Sequence, residues 1–434
     1  MRKLRDSGLP WLKEIPCNWK NETIRHLMVS RDGGAWGEEP KDESSGTICL
    51  RIADFDYSRG RFKKCSDEDL TRREYTKSQL RRLSLKAGDI LVEKSGGGEK
   101  TPVGRSVYYG GEYGPVLFAN FMERLRFDTT RIDPEYAEYW LRAWYACRCS
   151  SYYINQTTGI QNINLTLMLA KERIFYPSFS EQRKIIDYLD KRCGEIDALT
   201  ADIQTQIDTL EQYKRSVITE TVTKGLNPNA EMKDSGIEWV GRIPAHWPIH
   251  PVYSYYGERK NKNRLGKEDN LLSLSYGRVI RKDINTNDGL LPESFNTYNI
   301  VEAGDIIIRP TDLQNDKRSL RTGLVKEHGI ITSAYIDLCP LKQVDSRYFH
   351  FLLHAYDVMK VFYNMGNGVR QGLNYSEFSR LMVFEPPYEE QVAMADYLET
   401  KVTEVDAIIE QKKEQMAVLD AYKRSLIFEY VTGK

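Results

Sequence analysis

The sequence predicts a mixed α/β (α+β) protein in which two tandem globular lobes are each followed by a long helix. Three observations support this: an internal duplication, a gap-free second part in each copy, and apolar residues spaced by three and four within that part. The chain has 434 residues, more than one ordinary hydrophobic core accommodates. Its 41% apolar and 29% charged composition is that of a folded protein rather than a disordered one.

The duplication is clearest near the start of each half. Residues 6–19 return as 234–247 at an offset of 228, and an Ala-Gly-Asp-Ile sequence at 87–90 returns at 303–306 at an offset of 216. From Asn155 onward the offset stays at 209 without a gap. Because insertions collect in loops, the drifting front of each copy indicates a variable lobe and the constant back indicates a regular element.

The regular element is predicted to be a long helix, which in the first copy covers residues 181–222 and is about 60 Å long at about 1.5 Å per residue. Its apolar spacing is typical of a coiled-coil seam. We favour pairing of the two copies over separate docking of each helix on its own lobe. The predicted seam residues are Leu189, Ile196, Ile203, Ile207 and Leu210 in the first helix and Leu398, Val402, Val405, Ile409, Met416 and Leu419 in the second.

The lobes are predicted to combine short strands with one amphipathic helix each. The predicted strands cover 46–52, 89–93, 105–109 and 123–127, with counterparts at 271–276, 305–309 and 334–338, and the predicted helices cover 134–148 and 346–363. The expected domains are a first lobe at 1–155, a linker and long helix at 156–230, a second lobe at 231–375 and a second long helix at 376–434.

The 62 basic and 62 acidic residues cancel, but they are unevenly distributed. Residues 1–155 carry 27 basic and 23 acidic side chains, whereas 389–434 carry 6 basic and 10 acidic ones. Basic runs mixed with Asn, Gln and Tyr occur in both lobes and suit contacts to phosphates and base edges. A solvated surface is the alternative for any single run. The distribution places a polyanionic partner on the lobes rather than on the helices.

No catalytic or metal-binding motif is complete. Residues 385–388 (Glu-Pro-Pro-Tyr) resemble the Asp/Asn-Pro-Pro-Tyr loop of amino-group methyltransferases, but the first residue is wrong. The glycine-rich stretch at 96–101 lacks the Gly-Lys pair of a phosphate loop and is predicted to be a flexible loop. His350 and His354 lack the glutamate of a metalloprotease motif, which favours a structural role. Seven cysteines without a CxxC pair, and no apolar run of about 20 residues, predict a cytoplasmic protein with reduced thiols and no membrane segment.

Taken in order, these features resemble the specificity subunits of type I restriction–modification systems. The resemblance covers essentially the whole chain and rests on motifs that occur at matching places in both copies, together with Thr-Lys-Gly at the end of the first helix. The residues that carry it, besides the Ala-Gly-Asp-Ile blocks, are Ile15, Pro16, Trp19, Glu181, Gln182, Thr223, Lys224, Gly225, Ile243, Pro244, Trp247, Glu390 and Gln391.

The resemblance implies that each lobe is a target recognition domain that reads one half of a split, asymmetric sequence in double-stranded DNA. It also implies that the two helices pack antiparallel with pseudo-twofold symmetry and set the spacer, so that four residues added near Gln204 lengthen it. The chain itself is expected to be non-catalytic and to hold no cofactor. S-adenosylmethionine, ATP and Mg are expected on its partners, the modification (methyltransferase) and restriction subunits.

The candidate DNA contacts are basic and amide side chains in the lobes and in the loops before the long helices. Arginine pairs well with guanine and Asn or Gln with adenine, whereas lysines more often hold phosphate. The candidates are Arg59, Arg61, Lys63, Lys64, Lys94, Ser95, Lys100, Arg105 and Gln161 in the first copy, and Arg259, Lys260, Lys262, Arg264, Gln314, Asn315, Lys317, Arg318, Arg321 and Arg370 in the second.

Two other functional classes stay open on the sequence. The first is a scaffold or adaptor that binds no DNA and dimerises through its long helices; salt-dependent DNA binding would exclude it. The second is a self-contained methyltransferase, which would have to bind S-adenosylmethionine as an isolated chain.

Overall fold

The computed structural model describes residues 3–42, 45–63, 66–156, 159–285, 294–311, 313, 320–361, 365 and 372–434, except for the side chains of Asp67 and Gln156. The chain divides into two compact units, Met1–Gln204 with Lys413–Lys434, and Thr205–Lys412. Each unit therefore contains one lobe, half of one long helix and half of the other. None of the described helices is both long enough and apolar enough to cross a membrane.

The first unit is a mixture of short strands and helices. Its strands are β1 (Leu4–Leu9), β2 (Leu12–Pro16), β3 (Lys20–Thr23), β4 (Met28–Gly33), β5 (Thr47–Leu50), β6 (Phe55–Asp56), β7 (Arg61–Phe62), β8 (Arg72–Arg73), β9 (Asp89–Glu93), β10 (Ser95–Gly96), β11 (Ser106–Tyr109), β12 (Val116–Phe118), β13 (Met122–Phe127), β14 (Ile154–Gln156), β15 (Gln161–Ile163) and β16 (Arg173–Tyr176). Its helices are α1 (Lys77–Leu83), α2 (Pro134–Ala146), α3 (Leu165–Lys171) and the first half of α4 (Phe179–Lys224).

The second unit has the same kinds of element. Its strands are β17 (Met232–Asp234), β18 (Arg242–Pro244), β19 (Ile249–Pro251), β20 (Tyr256–Glu258), β21 (Leu272–Ser275), β22 (Arg278–Arg281), β23 (Asn299–Val301), β24 (Ile306–Ile308), β25 (Thr322–Leu324), β26 (Gly329–Ile331), β27 (Ile336–Pro340) and β28 (Met382–Phe384). Its helices are α5 (Ser346–Val358), α6 (Tyr375–Phe378) and the first half of α7 (Tyr388–Thr432).

The two lobes repeat one topology. The central antiparallel sheet has the order β4-β13-β9-β11 in the first lobe and β20-β27-β24-β25 in the second. A hairpin precedes each sheet (β1-β2 and β17-β18), and a second pair joins the start of each lobe to the strand before its long helix (β3-β16 and β19-β28). The fold thus confirms the mixed α/β prediction and shows the duplication in three dimensions.

The lobe helix packs its aromatic side chains into the core of each lobe. In α2 an Asp133 N-cap accepts from the Glu135 amide, and proline occupies the first turn, which favours a helix start. Asp345 is the N-cap of α5 in the same way. Trp140 and Trp144 of α2 are fully buried in the first core, as are Tyr348, Phe349 and Tyr356 of α5 in the second.

Within each unit the halves of α4 and α7 pack against each other in opposite directions. In the first unit Tyr188 stacks on Tyr430 at 4.3 Å between ring centroids, and Asp197 pairs with Lys423. As residue numbers rise along α4, those of the partner residues on α7 fall. In the second unit Lys412 donates to the Gln206 Oε1 and Lys214 pairs with Asp406 at 2.7 Å, so the partner numbers on α7 fall there as well. The helices are antiparallel in both units.

A buried glutamine ties the start of each long helix to its lobe. The Gln182 Oε1 accepts from the Asp133 amide and its Nε2 donates to the Pro177 carbonyl. Gln391 makes the same two bonds with the Asp345 amide and the Pro386 carbonyl. In both copies the glutamine side chain thus bridges the helix and the lobe.

Candidate nucleic-acid interface

A three-stranded sheet in the first lobe carries a row of polar side chains. β10, β15 and β14 pair so that Ser95 lies opposite Asn162, which in turn lies opposite Asn155. Directly opposed residues of antiparallel strands share one face of the sheet. Both asparagines are exposed, and the Ser95 hydroxyl donates to the Asn162 Oδ1 at 2.6 Å. We call Ser95, Asn162 and Asn155 the polar row. Its amide and hydroxyl groups are suited to hydrogen bonds with base edges.

The neighbouring glycine stretch is partly ordered by backbone contacts. Gly96 belongs to β10, and a Cβ placed on Gly97 would lie 2.5 Å from the Val103 amide nitrogen, so only glycine fits there. The loop was predicted to be flexible; close packing holds this part of it instead. The half-buried Lys94 precedes the polar row, and Lys100 is exposed within the loop.

Several predicted contacts of the first lobe already have internal partners. Arg105 forms an ion pair with the buried Glu93 at 2.7 Å, and its guanidinium lies 3.6 Å from the centre of the Tyr57 ring. Arg61 pairs with Glu135 at 2.9 Å and lies over a tyrosine ring. These pairs arise from strand register and from packing against α2, which a single sequence does not reveal.

The other candidates of the first lobe are placed differently. Arg59 lies within ion-pair distance of Asp56 and Asp197, at 3.7 and 3.9 Å. Lys63 donates to the Ala53 carbonyl at 2.6 Å. Gln161 is 7% exposed and accepts from the Val103 amide, so its side chain lies on the inner face of β15. Lys64 is outside the described residues.

The second lobe pairs its arginines internally as well. Arg259 forms a two-bond ion pair with Asp305, at 2.8 and 3.0 Å. Arg321 is 3% exposed and donates to backbone carbonyls. Among the basic residues that follow Arg259, Lys260 pairs with Glu258, Lys262 donates to the Thr297 carbonyl, and Arg264 is exposed.

Five further candidates of the second lobe fall in segments that are outside the described residues. They are Gln314, Asn315, Lys317, Arg318 and Arg370.

Asn162 and Asn155 were missed as candidates. The strand repeat of two residues would have identified Asn162, because in β15 the buried Gln161 and Ile163 flank it on the opposite face. Asn155 can be identified as a candidate only when the register of β14 against β15 is known.

The predicted seam residues of α4 and α7 are all at least partly buried. Seven of them are buried and four are half-buried. The buried ones are Leu189, Ile196, Ile203, Ile207, Leu398, Val405 and Ile409; the half-buried ones are Leu210, Val402, Met416 and Leu419.

The histidines of α5 have no metal-site geometry around them. Burial lowers the pKa of His350 to about 3 and that of His354 to about 4, so both rings stay neutral near pH 7. Within the described part of the chain, no group of three metal-ligating side chains occurs.

Comparison with known proteins extends this description. No family model matches the chain. A protein of Methanocaldococcus jannaschii, provisionally named type I restriction enzyme MjaX specificity subunit, is 23% identical over 97% of this chain and 94% of its own length. The type I restriction enzyme MjaVIII specificity subunit of the same organism is 24% identical over 65% of this chain and 67% of its own length.

A solved structure shares the fold. It comes from work on complex assembly and conformational transition of the type I R-M system, and it matches 96% of this chain and 99% of its own with a TM-score of 0.68 at 12% identity. At that identity the match concerns the fold alone. The two sequence relatives supply the remaining evidence, and the resemblance found in the sequence is confirmed: over nearly its whole length, this chain is similar to the specificity subunits of type I restriction–modification systems.

Proposed function

We propose that the chain is the non-catalytic DNA-recognition subunit of a type I restriction–modification complex. The observation that carries the proposal is one lobe topology built twice on an antiparallel helix pair, in a chain similar over nearly its whole length to a specificity subunit. Each lobe reads one half of a bipartite target, and the helix pair sets the spacer between the halves.

The differences between the lobes support an asymmetric target. The bonds that attach each long helix to its lobe are made by equivalent residues in both copies, Gln182 and Gln391. The outer parts of the lobes differ: β12, β5 and β8 form one sheet in the first lobe, whereas the described residues of the second form the pairs β21-β22 and β23-β26. The offset between the copies also drifts there. Because the two lobes are attached to their helices in the same way but differ in their outer surfaces, they suit two different half-sites.

The proposed partners are double-stranded DNA, methyltransferase subunits and restriction subunits. Adenine methylation and DNA cleavage then belong to those subunits, which bind S-adenosylmethionine, ATP and Mg. This chain contributes the position of the complex on DNA, and the complex works in the cytoplasm.

The test is long-read detection of methylated bases in the host genome, with the gene intact and deleted. We expect deletion to remove methyladenine from one split, asymmetric motif. An unchanged methylation pattern, in cells where the neighbouring modification genes are expressed and active, would contradict the proposal and favour the scaffold. Re-expression of the gene should restore methylation of the same motif.

A further inference from the structure

An ionic cluster joins a lobe hairpin to both long helices in the first unit. Asp197 of α4 pairs with Lys423 of α7, and the same Lys423 Nζ donates to the Ser58 carbonyl at 2.6 Å. Ser58 and Arg59 form the turn between β6 and β7, and the Arg59 Nε lies 3.9 Å from the Asp197 Oδ2. One lobe turn is thereby bound to two helices at a single point.

The second unit contains the same cluster with the helices exchanged. Asp406 of α7 pairs with Lys214 of α4 at 2.7 Å. Arg278, which follows the turn between β21 and β22, donates to the other oxygen of Asp406 at 2.6 Å. A lobe hairpin, an aspartate of one helix and a lysine of the other therefore meet in both units.

The sequence relates the two clusters independently of their geometry. Asp197 and Asp406 differ by 209 positions, and so do Lys214 and Lys423, which is the constant offset of the repeat. In each unit the aspartate and the lysine lie on different helices. The arginine lies in or beside a hairpin turn that contains a glycine in the left-handed region, Gly60 or Gly277.

In the first unit the lysine of the cluster is buried, so its ion pair differs from one on the protein surface. Lys423 is 4% exposed, and removal of its carboxylate partner would leave a buried charge without compensation. Gly60 allows the turn to approach α2, because a Cβ there would lie 2.4 Å from the Glu138 Oε1. In the second unit Asp406 and Lys214 are each about a quarter exposed or less, while Arg278 is largely exposed.

We propose that these two ionic clusters fix the orientation of each lobe on the helix pair, and that their arginines and aspartates are positioning residues for spacer selectivity. The proposal rests on the proposed function, since a helix ruler discriminates spacer length only if each lobe is held firmly on it. A lobe that tilts on its helices would accept targets with one base pair more or fewer.

Two variants of the second cluster separate lobe attachment from helix pairing. Arg278→Gln removes only the lobe contact, and its largely exposed side chain leaves the core intact. The exchange Lys214→Asp with Asp406→Lys keeps an ion pair between the helices but places a lysine against Arg278. The matched control is Asp420→Asn, because among the described residues Asp420 pairs within α7 alone, with Arg424 at 3.1 Å.

The measurement is adenine methylation by the reconstituted complex on duplexes that carry the two half-sites with the native spacer, or with one base pair added or removed. We expect Arg278→Gln and the exchange variant to lower the preference for the native spacer about three- to tenfold, the range of an exposed to partly buried ion pair. Base preference within each half-site should not change. Asp420→Asn should match the wild-type chain.

A second readout does not depend on DNA. Hydrogen exchange at the amides of β22 should be faster in Arg278→Gln than in the wild-type chain and in Asp420→Asn. An unchanged spacer preference in both variants, or unchanged exchange in β22, would overturn the proposal. If the wild-type complex methylates no bipartite duplex, the proposed function fails instead, and the exchange measurement still decides whether the cluster holds the lobe.

Discussion

At the scale of single residues, the face of a strand decides which polar side chain can meet a ligand. Gln161 and Asn162 are adjacent and both suit adenine, yet only Asn162 is exposed. The Gln161 Oε1 instead accepts a hydrogen bond from the Val103 amide, which stabilises the backbone that follows the glycine stretch. Residue chemistry therefore indicates a candidate segment, and the pleat of the strand decides which of its side chains is exposed.

We expect Asn162→Ala to weaken recognition at one base position of one half-site. Loss of an amide that bonds to a base edge costs about 1–3 kcal/mol of discrimination at that position. The measurement is competition binding of the reconstituted complex to duplexes with single base changes across both half-sites.

The matched control is Asn229→Ala, which removes an exposed asparagine in the segment after α4. Equal affinity of Asn162→Ala and wild type for all the duplexes would show that the polar row does not contact bases. A uniform loss at every position would show that it holds the backbone instead.

A buried acid in the second lobe makes the free energy of unfolding depend on pH. Asp337 is 1% exposed, and neither of its carboxylate oxygens has a hydrogen bond within the described structure. Burial, with the negative charge of Asp305 beside it, raises the pKa of Asp337 to about 8, although Arg259 opposes the shift. The folded state thus retains a proton that the unfolded chain releases near pH 4.

From this shift we expect the free energy of unfolding to fall as pH rises from 6 to 8, by on the order of 2 kcal/mol. Asp337→Asn should be much less sensitive over the same range, because an amide cannot ionise. Urea denaturation at a series of pH values measures this. Asp269→Asn, at an exposed site, serves as the control, and an equal pH slope in Asp337→Asn and wild type would refute the assignment.

At the scale of elements, regular spacing was predictable and long-range contacts were not. The first long helix was expected at 181–222 and covers Phe179–Lys224. Strands expected at 89–93 and 123–127 occur as Asp89–Glu93 and Met122–Phe127. The bond from Gln182 to the Asp133 amide joins residues 49 positions apart, and no local pattern indicates it.

The buried glutamines that attach the long helices to the lobes give a prediction at this scale. Gln391→Leu removes the acceptor of the Asp345 amide and the donor to the Pro386 carbonyl, so both buried backbone groups lose their partner. We expect a loss of about 1–3 kcal/mol in the free energy of unfolding and faster hydrogen exchange at Asp345. Gln411→Leu, on the exposed surface of α7, should leave both unchanged; slow exchange at Asp345 in Gln391→Leu would contradict the role.

At the scale of the whole molecule, the chain contains two copies of one lobe topology that differ in their outer strands. The motif order predicted two copies, and the repeated order of the central sheets confirms them. The unit boundaries fall within both long helices, at Gln204 in α4 and at Lys412 in α7. Lys412 donates to the Gln206 Oε1, so these two positions face each other in the helix pair.

Residues added to both helices at this position should therefore change the length of the DNA spacer and leave both half-sites unchanged. Four helix-forming residues inserted after Gln204, with four more after Lys412 to keep the antiparallel register, add about 6 Å of helix at about 1.5 Å per residue. This is about two base pairs of DNA at about 3.4 Å each. We expect the methylated motif to keep both half-sites and to gain about two base pairs of spacer.

Methylation mapping of cells that carry the lengthened chain measures this outcome. The insertion after Gln204 alone is the informative comparison, because α7 would then lack matching residues and Lys412 would no longer face Gln206. The sequence alone predicts that four residues added near Gln204 lengthen the spacer. Because the antiparallel partner must lengthen with α4, we expect this single insertion to lose activity instead. A changed half-site with an unchanged spacer in the doubly lengthened chain would mean that the helix pair does not measure distance on DNA.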